Sequence, residues 1–132
     1  MKKIFLVCLF FGISCSPGSI DEFRLEGEWI AKSILERLQK VESLSDLVKE
    51  GPRLKKEFAL LVKVMIEAKK YRFENPEEEA PMPIRLEVSE ALKQEFIRVY
   101  QFEGCAEVME GLQRESLHRL DYHLTRSEAL KS

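Results

Sequence analysis

The sequence predicts an all-α fold: a small antiparallel bundle of three to four helices with a proline- and glutamate-rich connector between its two halves. Three observations predict it. Apolar residues recur at helical spacing through successive stretches of the chain. Oppositely charged residues stand four apart in the favourable order at Glu28–Lys32, Glu36–Lys40, Glu110–Arg114 and Glu115–Arg119. Only one stretch, Ile84, Leu86 and Val88, alternates apolar with polar residues, and a lone extended stretch has no second strand to pair with. With 132 residues, 33% of them charged and 45% hydrophobic, the chain fits one globular domain and neither a disordered chain nor a polytopic membrane protein.

The first element is not part of that bundle. Lys2 and Lys3 precede ten uncharged residues, Ile4 to Ile13, and the small Ser14 and then Cys15 follow. This is the charged, apolar and small-residue order of an export signal. As a helix, ten residues reach about 15 Å, half of a ~30 Å hydrocarbon core. The stretch has no polar face to turn toward water, which argues against a packed surface helix.

Gly12-Ile13-Ser14-Cys15 resembles the lipobox of bacterial lipoproteins. The resemblance covers about fifteen residues and implies a processing class, not a fold. It implies that Cys15 becomes the new N-terminus and carries a diacylglyceryl thioether and often a further acyl chain, such as palmitate. Two or more acyl chains anchor a protein stably, at about 0.8 kcal/mol per buried methylene. Ser16, rather than an aspartate, follows the cysteine, which by the same resemblance favours the outer over the inner membrane. Gly12 and Ser14 equally satisfy the small-x-small rule of ordinary signal cleavage, which would release a soluble protein beginning at an unmodified Cys15. The expected organisation is a signal at 1–14, a lipidated tether at 15–19, a helical domain at 20–125 and a frayed tail at 126–132. Loss of Lys2 and Lys3 turns a net charge of −2 into −4, with 19 basic residues against 23 acidic in the remaining 118.

Ser19 and Glu22 fit a capping box for a first helix over about 20–42, whose apolar residues are Phe23, Trp29, Ile30, Ile34, Leu38 and Val41. Ser43 and Ser45 offer new caps, so 44–50 reads as a kinked continuation or a short helix of its own. Gly51-Pro52 reads as a stop and restart. The helix after it, about 52–74, is the most apolar of the domain and is expected in the bundle interior, with Leu54, Phe58, Leu61 and Met65 on one face. Asn75-Pro76 ends it. The connector 75–84, with Glu77, Glu78, Glu79 and three prolines, is expected to be exposed and extended. Ser89 is the expected cap of a helix at 89–102 that turns Leu92, Phe96, Val99 and Tyr100 inward. Gly104 is a joint. The last helix, 105–125, turns Cys105, Val108, Met109, Leu112, Leu120 and Leu124 inward and frays from Thr125.

Little in the chain promises chemistry. Glu115 and His118 have the i,i+3 spacing of a dimetal bundle ligand pair, but the second pair is missing. His118 and His123 point about 140° apart on a helix, so with Asp121 they make no metal trio. Cys105 is expected as a core thiol, with an intermolecular disulfide or a Cys105–His118 nucleophile pair as the reactive alternatives. No glycine-rich phosphate loop, nucleophile elbow or zinc-cysteine spacing occurs. No enzymatic activity, metal or cofactor is expected beyond the covalent lipid on Cys15. The near-neutral charge argues against nucleic acid as a partner.

The charge map is uneven. From Arg53 to Arg72 seven basic residues stand against two acidic, and from Glu74 to Glu95 seven acidic stand against two basic. Lys56, Lys63 and Lys70 form a stripe nearly opposite the Leu54–Met65 face. The stripe reads as a solvated outer face or as a contact for anionic headgroups or an acidic partner. The expected protein is a non-enzymatic envelope lipoprotein with a helical interaction domain. The alternative is a soluble exported binding or chaperone-like protein.

Overall fold

A computed structural model describes residues 20–77 and 86–131. The chain is all-α, with four helices and no strand among the described residues: α1 (Ile20–Gln39), α2 (Leu44–Glu74), α3 (Leu86–Tyr100) and α4 (Cys105–Lys131). Helix α1 packs on α2 and α3, and α4 packs on α2 and α3, so the helices form a ring in the order α1, α2, α4, α3. Phe23 meets Tyr71, and Arg37 meets both Glu50 and Glu57, which makes α1 and α2 an antiparallel hairpin. Pairings between α2 and α4 rise together, Gly51 with Leu112 and Lys55 with Glu115, so these two helices run in the same sense.

The core fills the ring. Ile34, Leu38, Val41, Leu47, Leu54, Val99, Cys105 and Met109 are fully buried, and Phe58 stacks on Phe96 at 6.1 Å between ring centroids. Most expected inward residues are there, but Trp29 is not. It is 72% exposed. At 100° per residue it lies roughly 140° from the Phe23–Ile30–Ile34–Leu38 row, so helical geometry turns it to the outer side of α1. Met65 and Tyr100 are also on the exposed side. For Met65 the reason is length: α3, with 15 residues, is half as long as the 31-residue α2 and cannot cover all of its apolar face.

Gly51-Pro52 does not break the chain. One helix runs from Leu44 through Pro52 to Glu74, and the break falls earlier, at residues 40–43. There Lys40 and Val41 donate to the carbonyls of Arg37 and Leu38 at 3.2 and 3.0 Å, tightening the end of α1. Ser43 then caps α2, its Oγ accepting from the Asp46 N–H at 3.2 Å, while the Asp46 carboxylate accepts from the Glu42 N–H at 3.0 Å. Pro52 removes one helical N–H, but it stands opposite the carbonyl of the exposed Val48, which water can reach. Leu47 and Leu54, buried on either side of the proline, hold the helix continuous on the core.

Two further expectations change. Helix α3 begins by Leu86, so Ser89 stands inside it and caps nothing, and Leu86 and Val88 are helical rather than extended. Val88 is buried, which gives the early start its packing reason. Helix α4 continues past Thr125 to Lys131. The Ser19 half of the first capping box, Ile84 and the Glu78–Arg85 part of the connector lie outside the described residues.

Because α2 is continuous, Gly51 occupies a helix interior. A Cβ there would meet Leu112 Cδ2 at 3.5 Å, an ordinary contact. Gly51→Ala is therefore expected to stabilise the fold by about 0.5–1 kcal/mol, read as a raised midpoint in urea unfolding. A helix interrupted at this position would show no gain.

Candidate functional site

Cys15, the expected lipid attachment point, lies outside the described residues. Helix α1 is described from Ile20, five positions after that cysteine. No helix among the described residues is long and apolar enough to cross a membrane.

Lys56, Lys63 and Lys70 are all exposed on α2. Their seven-residue spacing puts them on one flank, and the buried Leu54 and Phe58 occupy the opposite one. None of the three makes an ion pair among the described residues. The antiparallel register sets this flank beside the outer side of α1. There Glu26 feels Lys63 and Glu67 on α2, and burial and the Glu67 charge raise its carboxyl above the usual value of 4.5 while Lys63 pulls it down.

The other singled-out residues are not brought together. Cys105 is fully buried at the start of α4, burial pushes its thiol up, and it forms no disulfide among the described residues. His118 stands thirteen residues on, about 20 Å along the helix, so the two cannot act as nucleophile and base. Full burial also keeps the Cys105 thiol from an intermolecular disulfide in the folded state. Glu115 and His118 are both exposed, and Glu115 meets Lys55 at 3.9 Å. His123 sits edge-on to Tyr122 at 5.6 Å. No group of three potential metal ligands occurs among the described residues.

Sequence reasoning missed the polar contacts that align the helices. Arg37 of α1 hydrogen-bonds Glu57 of α2 through Nε and reaches Glu50 at 3.4 Å. Glu57 is buried, and its Oε2 has no hydrogen-bond partner among the described residues. Arg98 of α3 donates to the Leu38 carbonyl at the end of α1 at 2.8 Å, holds Glu95 at 2.7 Å and lies over the Phe102 ring at 5.7 Å. The Arg37–Glu57 and Arg98–Leu38 contacts have no local signal, since their partners lie 20 and 60 residues apart. Leu25 and Trp29 were missed as a surface, although their i,i+4 spacing was a usable sign.

No protein-family model, curated protein or solved structure matches the chain.

The raised Glu26 carboxyl gives a pH test. A folded-state pKa above the unfolded one favours folding while the group is protonated, and that contribution is lost as pH rises from 4.5 through the folded value. Glu26→Gln is expected to melt above the wild type at neutral pH, with the gap closing below pH 4.5 in melts across a pH series. A gap independent of pH would mean the gain has another source.

Proposed function

We propose that this is a non-enzymatic bacterial envelope lipoprotein: a four-helix interaction domain held to a membrane by lipid on Cys15. The observation that carries the reading is the N-terminal order of two lysines, ten uncharged residues and Ser14-Cys15. A chain from Cys15 to Ser19 spans about 16 Å at most, so an anchored domain works close to its membrane. A compact fold without a membrane-crossing helix among the described residues is compatible with anchoring by lipid alone. The partners of such a domain are the lipid surface and an envelope protein. Ser16 favours the outer membrane.

Fatty-acid labelling of producing cells tests the anchor. The wild type is expected to take up label and fractionate with membranes, and Cys15→Ala is expected to lose both. An unlabelled, soluble wild type would instead establish the exported binding protein.

The lysine stripe is the second part of the reading. Each lysine near an anionic surface contributes about 1 kcal/mol, so Lys56, Lys63 and Lys70 changed together to glutamine should weaken binding of the detergent-solubilised protein to immobilised phosphatidylglycerol about tenfold or more at low salt. Unchanged binding would leave the stripe a solvated face.

A further inference from the structure

Leu25 and Trp29 stand one turn apart on α1, 55% and 72% exposed, on the side turned away from the core. The α1–α2 register, set by Phe23 with Tyr71 and Arg37 with Glu57, brings Trp29 level with the turn of α2 that carries Lys63. Leu60, also exposed, lies on the same outer flank of α2. One side of the hairpin thus presents a leucine–tryptophan pair beside a row of lysines.

We infer that this outer side of the α1–α2 hairpin rests on the lipid surface, with Trp29 and Leu25 entering the boundary between headgroups and acyl chains. The inference rests on the lipoprotein reading. Three features select a membrane as the occupant. The first is reach: Trp29 lies nine residues into α1, about 14 Å along the helix from Ile20, and the lipid-bearing cysteine is five positions before Ile20. A domain on so short a tether must rest one of its sides on the bilayer, and α1 is the helix nearest the anchor. The second is chemistry: an indole has an apolar body and a polar N–H tip, which suits the membrane interface. The third is the adjoining lysines, whose stems lie along apolar surface while their ammonium groups reach phosphate oxygens. Glu26, Glu36 and Glu67 flank the same side and offset part of the lysine charge, so the contact draws on the apolar pair as well as on the lysines.

Trp29 is the sole tryptophan, so its emission reports this side alone. The test uses the lipidated protein, its acyl label first verified, reconstituted in phosphatidylcholine–phosphatidylglycerol vesicles with and without brominated acyl chains. Bromination is expected to quench Trp29 emission about twofold, as for a side chain a few ångströms below the headgroups. Leu25→Ser, which keeps the reporter, is expected to reduce that quenching. Labelled protein whose Trp29 is quenched by acrylamide from the water side and not by brominated lipid overturns the inference and leaves the anchor standing. Trp29 shielded from both quenchers also overturns it, and assigns the side to another protein surface such as a second copy. A wild type that takes up no acyl label overturns the anchor and the inference with it.

Discussion

The row of Leu47, Leu54 and Phe58 on α2, buried against the rest of the core, is the constraint on which the other elements depend. Helix α2 rises about 46 Å over its 31 residues and supplies one wall for α1 and another for α4. A hinge at Gly51-Pro52 would have divided that wall in two. Instead the helix runs on past Leu112 of α4, and the proline sits where its missing hydrogen bond faces water. Local helix-breaking chemistry loses here because buried side chains on both sides of it gain from an unbroken helix.

Polar contacts then fix how the helices align along that wall. Arg37 ties α1 to Glu50 and Glu57 of α2, and Arg98 ties α3 to the last turn of α1 through the Leu38 carbonyl. That carbonyl already accepts from the Val41 N–H, and the guanidinium takes its second lone pair, so one oxygen joins the end of α1 to α3. Gly104, with φ of 82° and the Leu44 side chain 3.1 Å from where a Cβ would stand, closes the turn from α3 into α4. A side chain at that position would be strained by the backbone and crowded by α2 at once.

The same alignment gives the surface its character. The lysines of α2 and the exposed Leu25–Trp29 pair of α1 are far apart in sequence, and the antiparallel hairpin lays them side by side. Cys105 and His118, close in sequence by comparison, are separated by a rigid helix and by the burial of the thiol. Under the proposed lipid anchor, the side bearing Trp29 is the one that would face the membrane.

Much of this was legible in the sequence. Helical spacing and i,i+4 charge pairs sufficed for an all-α bundle, for the buried Phe23, Ile34, Leu38 and Val41, and for the exposed Lys56, Lys63 and Lys70, because each depends only on the 3.6-residue turn. Glu28 and Lys32 form the expected pair at 3.4 Å for the same reason. The N-terminal order of lysines, uncharged residues and Ser14-Cys15, on which the proposed anchor rests, is likewise local and needs no fold to be read. What only the tertiary structure decided was where local signals yield to packing. Pro52 is carried through a helix by the core beneath it, and Ser89 is overtaken by a helix that starts early to bury Val88. Burial depends on which residues meet from distant parts of the chain, and no local pattern contains that information.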